Sequence, residues 1–494
     1  MEPGLPVHHS RKYCLSVGLV LLVVSVLIPT LTSKADTTDA AASLLSLVRV
    51  DVSGPITDIP LPIHSDLVDG QGIPYVLAIA SAEQLQRCGC AYTVLDTAPA
   101  GTRYLLAASR DPRERREAGT VANVLYDDGF RIIVRSAPDL TAALSRLGLS
   151  PRPLSPVPLP FASPPAPARA APGIAPNPRI QAMLDKVTEK SLSDSISGLS
   201  GLTEVVVGGE AYTITTRNTA SGVPIEKATQ YVYEQLNALG LTASYHSWSS
   251  TAYAGRNVIG ELPGVSKPSE VILLVAHLDS INDRTDDPTD PAPGADDDGS
   301  GCAALLMAAT ILKDYRFERT IRFVFTTGEE NGLLGSAVYA KKLKDEGQNV
   351  LDVVNLDMVA YSTQASPIQN LHTRIPQNPG YQADLAIATL FVEVVNTYGL
   401  SESLVPVILK ESNDQGDQYS FWENDFPSIM VIEDDNNFNP NYHCKSNMDD
   451  LQYLNMAYEA AHTKASLGTV AHLAGLVNNT PTPAGSYLLL LQDQ

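Results

Sequence analysis

The sequence predicts an α/β fold, a mostly parallel central sheet flanked by helices, preceded by a small α+β domain. Three observations carry this. From about residue 179 onward, apolar strand candidates alternate with helical segments, as they do when helices cover both faces of a parallel sheet. Before that region, residues 36–150 repeat a shorter strand–helix pattern. Between the two, residues 151–178 hold eleven prolines, a density that gives an extended spacer and no core.

Size and charge bound the function. The 494 residues allow roughly three folding units at about 150 residues each. With 34 Lys and Arg against 55 Asp and Glu, the net charge is −21. No basic run offsets it, so general nucleic-acid binding is excluded. Five Cys without a CxxC pair exclude zinc fingers.

Taken in order, the chain opens with His8, His9, Arg11 and Lys12 ahead of an apolar run at 15–28, which Pro29 ends. Ser33-Lys34-Ala35 then supplies small residues at both positions a signal peptidase reads. Residues 1–35 are therefore expected to be a signal peptide, making the protein secreted or extracytoplasmic with no stable membrane insertion after cleavage. An uncleaved anchor is the alternative, since apolar sequence drifts on to Leu31. Loss of Cys14 with the signal leaves Cys88, Cys90, Cys302 and Cys444, which allow three disulfide connectivities.

In the small domain, residues 75–80 run into Ser81, a short amphipathic segment and Gly89. Residues 130–135 run into Ser136, a second such segment and Gly148. Each copy reads as strand, Ser N-cap, helix and Gly stop, suggesting a ferredoxin-like sandwich. No chemistry stands out here, so 36–150 is a candidate prodomain, and its single His64 is expected at the surface. After the spacer, strands are expected at 257–261, 271–275, 320–325, 350–356 and 428–432. Helices are expected at 224–238, 303–312 and 451–476. Residues 478–494 form a tail, with 486–491 a strand candidate.

Five segments at or after predicted strand ends carry the chemistry: Ala276-His277-Leu278-Asp279, the acidic loop 293–301, Thr327-Gly328-Glu329-Glu330, Asn355-Leu356-Asp357-Met358 and Asn441-Tyr442-His443. Each alone has a bland reading. A His after a strand is often a packed core residue, three Asp can be a solvated loop, and Glu329-Glu330 can be a helix start favoured by the dipole. Jointly, five strand ends carry imidazole and carboxylate to the edge where open α/β sheets bind ligands. Such a set suits two divalent cations, zinc best.

These segments, read as AHLDS, PGADDDGSG, TTGEENGLLGS, NLDM and NPNYH, resemble metallopeptidase family twenty-eight. Its members are co-catalytic zinc aminopeptidases related to bacterial leucyl aminopeptidase, and the resemblance covers about 180–477. It implies a zinc aminopeptidase-like fold and two zinc ions per chain held by His277, Asp297, Glu330, Asp357 and His443, with Asp297 bridging. It further implies Asp279 orienting His277, Glu329 as general base and Tyr442 holding the tetrahedral oxygen. The implied activity is removal of N-terminal residues from peptides with a free N-terminus by metal-activated water. A carboxypeptidase or dipeptidase of the same family is the alternative, with a glutaminyl-cyclase-like transferase or a non-catalytic binding module behind it. By the resemblance, Met358, Met430, Ile432 and Phe438 line an apolar first pocket, while Glu433, Asp434 and Asp435 could instead recruit a basic side chain. Three departures from the family pattern stand out: Gly416-Asp417-Gln418 lacks the usual His, Asn413 lies where some relatives carry Tyr, and Asn447 replaces an Asp. Cys302 and Cys444 flank the site, either as a disulfide or as two buried thiols.

Overall fold

The computed structural model describes residues 44–137, 140–161 and 173–477. The expected signal peptide, much of the Pro-rich stretch and the tail with its strand candidate lie outside the described residues.

The small domain is two copies of one unit. In the first, β1 (Leu44–Asp51), β2 (Ile63–Val68), β3 (Pro74–Ala80) and β4 (Thr93–Pro99) form an antiparallel sheet of order β2-β3-β1-β4. In the second, β5 (Tyr104–Ala108), β6 (Val124–Asp127), β7 (Arg131–Arg135) and β8 (Ser150–Pro153) repeat that order as β6-β7-β5-β8. This is the strand order of a ferredoxin-like unit. The sequence echo falls on β3 and β7, which occupy equivalent places. Ser81 caps the helix Ala82–Cys88 reciprocally with Gln84, and Gly89 ends it in the left-handed conformation. Cys88 and Cys90 form a disulfide.

The Pro-rich stretch begins inside this domain. Pro151 and Pro153 sit in β8, an edge strand, where the missing N–H groups interrupt no ladder on the open side. His64 departs from expectation, being buried with Nδ1 2.8 Å from the Ser155 carbonyl. The reason is that β2 is covered on both faces: Ser65 Oγ meets the Tyr419 hydroxyl at 2.7 Å, and Asp66 accepts from Ser412 at 2.8 Å.

After the hairpin β9 (Val205–Val207) and β10 (Glu210–Tyr212), eight strands build the main sheet: β11 (Thr242–Ser249), β12 (Ala254–Leu262), β13 (Lys267–His277), β14 (Arg319–Thr326), β15 (Asn349–Leu356), β16 (Ile368–Thr373), β17 (Val405–Lys410) and β18 (Ser428–Glu433). Their order is β11-β12-β14-β13-β15-β18-β16-β17. The four central strands β14, β13, β15 and β18 are mutually parallel, and antiparallel pairs bring in the flanks. Parallel strands deliver their C-terminal ends to one edge. The helix Gly299–Leu312 is buried on nearly every side in the main core cluster, together with the helix Met456–Ala474. Tyr339, Leu343 and Phe421 cover the other face of the sheet.

Candidate metal centre

The parallel strands set the site. β13 ends on His277, Glu329 follows β14 by three residues, Asp357 directly follows β15, and His443 lies on the loop after β18. His277 Nε2 is 3.0 Å from Asp297 Oδ1 and 3.7 Å from Asp357 Oδ1. His443 Nε2 is 2.8 Å from Glu330 Oε2 and 3.4 Å from Asp297 Oδ2. The five residues thus form two ligand groups, His277–Asp297–Asp357 and Asp297–Glu330–His443, that share Asp297. Glu329 is partly exposed to the cleft, and Tyr442 stacks on His443 at a 3.6 Å centroid distance. All eight residues singled out from the sequence are brought together.

The donors fit divalent cations on chemistry and on geometry. Glu330 Oε1 is buried without a hydrogen-bond partner, and so is His443 Nε2, which faces Glu330 at close range without donor–acceptor alignment. Two ligands aimed at a common centre look like this, whereas a structural ion pair aligns its hydrogen bond. The charge balance agrees. Burial, with Asp297 close by, pushes Glu330 up to about 7, and burial pushes Glu329 and Asp298 well above the carboxylate range. Although burial opposes it, Glu330 and Asp283 raise His443 to about 10. Carboxylates crowded in this way lower their mutual repulsion by taking up protons or cations.

The supporting shell was only partly visible in the sequence. His277 Nδ1 is 3.1 Å from the Asp279 carbonyl, and its carboxylate is 3.7 Å away. That carboxylate also accepts from Thr219 and from the backbone N–H groups of Glu329 and Glu330, so it holds the turn carrying both glutamates. Asp283 Oδ2 lies 3.1 Å from His443 Nδ1, and Asn447 Nδ2 donates to Asn441 Oδ1 at 3.2 Å. Asp449 takes the N–H groups of Asp296 and Asp297 at 3.0 Å. Asp298 caps the helix Gly299–Leu312 and accepts from the N–H groups of His277 and Met358. Fully buried Arg217 donates to the carbonyls of Leu199, Leu278, Pro293 and Gly294, pinning the acidic loop. No motif marks Arg217, Asp283 or Asp449, because their partners are distant in sequence.

At the departures, Gln418 Nε2 donates to the Asn413 carbonyl. Gly416 approaches the site so closely that a Cβ would lie 2.6 Å from Met430 Sδ and 3.2 Å from Asp357 Oδ2. Cys302 and Cys444 are buried free thiols, so the disulfide alternative is not realised. Met358, Met430 and Ile432 form one apolar cluster with Phe438 and Tyr442 packed on it. His277, Asp297, Glu330 and Asp357 line one cleft of about 400 Å³ together with this cluster.

The family model described as peptidase family M28 matches residues 257–470. Leucine aminopeptidase 1 of Trichophyton rubrum is 31% identical over 266 residues, which is 50% of this chain and 68% of that protein. Leucine aminopeptidase 1 of Arthroderma gypseum is 33% identical over 232 residues, 45% of this chain and 59% of the relative. In fold, the chain is similar to the LapA aminopeptidase of Legionella pneumophila, with a TM-score of 0.57 at 16% identity over 76% of this chain and 99% of that one. The chain belongs to peptidase family M28. Its match spans about three-fifths of the Arthroderma relative's length.

Proposed function

We propose that the protein is a secreted dinuclear zinc aminopeptidase that removes N-terminal residues from peptides. The observation that carries this reading is the pair of ligand groups sharing Asp297, with buried, unpaired atoms of Glu330 and His443 aimed into the space between them. His277 and Asp357 would hold one zinc, Glu330 and His443 the other, and Asp297 both. Zinc bound there would polarise the scissile carbonyl and acidify water.

The protein's own groups do the rest. Glu329 sits at the cleft with its carboxyl held above the ordinary range by burial, where it can take a proton from the attacking water and return it to the leaving amine. Tyr442, whose hydroxyl burial and the Asp297 and Glu330 charges keep protonated, is a donor for the tetrahedral oxygen. The acidic cleft attracts the cationic α-amine of a peptide. The apolar cluster of Met358, Met430, Ile432 and Phe438 suits an apolar first side chain. Residues 1–35 acting as a secretion signal, and 36–150 as a small α+β domain before the peptidase domain, belong to the same proposal. Among the described residues no helix is long and apolar enough to cross a membrane.

The test is metal analysis with a substrate panel. About two zinc per chain and cleavage of peptides with free, but not blocked, N-termini are expected. Cleavage of N-blocked peptides from the C-terminus, or one zinc per chain, would overturn the reading.

A further inference from the structure

The cleft is not built by the peptidase domain alone. Ala108, Ser109, Arg110 and Phe130, all from the second ferredoxin-like copy, line it together with His277 and Glu329. Arg110 reaches across to the loop after β18. Its Nη2 lies 2.5 Å from Asp435 Oδ1, its Nη1 donates to the Asp435 carbonyl, and its guanidinium carbon stands 4.9 Å from the Phe438 ring centroid.

Asp435 has a buried imidazole as its other close neighbour. Its Oδ2 is 3.6 Å from Nε2 of buried His372, whose Nδ1 is 2.9 Å from Glu411. Burial opposes a charge on His372, yet Asp435 and Glu411 raise its affinity for a proton. Arg110 and Asp435 therefore pair at one wall of the cleft, with His372 and Glu411 behind Asp435. Glu433 and Asp434, the other acids of that segment, are committed elsewhere: Glu433 accepts from the Asn439 N–H, and Asp434 from Gln364. Asp435 is the acid of this segment that lines the cleft, and it is 18% exposed.

We propose that Arg110, supplied by the N-terminal double unit, sets the side-chain specificity of the site by occupying Asp435. It keeps the pocket of Met358, Met430, Ile432 and Phe438 selective for uncharged apolar N-terminal residues. Without Arg110 the Asp435 carboxylate is left open to the cleft and accepts Lys or Arg side chains. This rests on the aminopeptidase reading. Arg110 acts through Asp435 and Phe438, so it is a positioning residue.

The experiment compares kcat/KM of the zinc-loaded full chain for leucine and lysine p-nitroanilides in wild type, Arg110→Gln, Asp435→Asn and the double variant. Arg110→Gln should raise the Lys/Leu ratio about tenfold, the scale of one partly screened charge at contact range. Asp435→Asn, which frees the guanidinium, should lower that ratio, and the double variant should return it to within about threefold of wild type. A merely structural role for Arg110 would depress both substrates alike and leave the ratio unchanged, which overturns the proposal. A ratio that moves in the same direction in both single variants overturns it as well. Zinc-loaded wild type inactive on both substrates would instead overturn the aminopeptidase reading, and this proposal with it.

Discussion

Glu329 and Glu330 are neighbours in sequence with different surroundings. Glu330 Oε2 touches His443 Nε2 at 2.8 Å and its Oε1 is buried without a partner, the environment of a ligand. Glu329 is anchored through its backbone N–H to Asp279 Oδ1, which leaves its carboxyl on the cleft. Gln in place of Glu329 keeps size and polarity but cannot take a proton, so Glu329→Gln should retain zinc while kcat falls about 10²- to 10⁴-fold. Glu330→Gln replaces an anionic ligand by a neutral one and should lose zinc first. Zinc content and kcat of both variants, measured side by side, check this, and near-normal kcat in Glu329→Gln would reverse the assignment. At this scale the eight candidate site residues were legible because each lies in a short motif at a strand end or on a loop that follows one. Asp283, Asp449 and Arg217 were not, because a single residue that acts across more than a hundred positions, or only on carbonyls, leaves no local pattern.

The same contrast holds for elements. The central strands β12, β13, β14, β15 and β18 were legible as apolar runs, and the helix Gly299–Leu312 as a wholly apolar segment. β11, β16 and β17 were not expected. β11 is a half-exposed edge of mixed polarity, and β16 buries Gln369, Asn370 and His372 among its apolar residues. Of these, Gln369 is satisfied by a helix far along the chain: its Oε1 meets His462 Nδ1 at 3.1 Å and the Tyr458 hydroxyl at 2.9 Å. His462 is fully buried in the helix Met456–Ala474, and burial lowers its pKa to about 3. In the unfolded chain an imidazole takes its proton near 6.5. Below that pH the unfolded state binds more protons than the folded one, so stability falls as pH drops from about 6.5 and stops falling near 3. One such group contributes up to about 1.4 kcal/mol per pH unit in that window. His462→Gln keeps a polar partner for Gln369 and should flatten the decline. Urea midpoints at pH 7 and pH 4.5 should differ less in the variant than in wild type; an equal difference would place the acid sensitivity elsewhere.

For the molecule as a whole, the sequence suggested a detachable N-terminal segment, and the geometry supports a different relation between the two parts. Asp414, fully buried on the loop that flanks the cleft, is clasped by Arg152 Nε at 2.8 Å and Arg131 Nη2 at 3.1 Å, both from the second ferredoxin-like copy. Gly332, beside the turn that carries Glu329 and Glu330, lies where a Cβ would be 2.9 Å from the Pro151 carbonyl. Ile375 of the peptidase domain is buried in the core of the first copy with Val48, Val50 and Ile63. Separation would strip one wall from the cleft and open this apolar contact to water. Removing only the acid is expected to be severe, because buried Arg152 loses its counter-charge while Arg131 is left with Asp128 alone, at a cost of about 3–5 kcal/mol. A specific protease site inserted between residues 162 and 172 tests the relation. After cutting, the two pieces of the wild-type chain should elute together from a sizing column and keep their turnover, and the pieces of cut Asp414→Ala should separate. Cut wild-type pieces that part, with turnover rising in the larger one, would identify the N-terminal double unit as an inhibitory prodomain. Parting with loss of turnover would show that the wall is needed but held by chain continuity rather than by the Asp414 clasp.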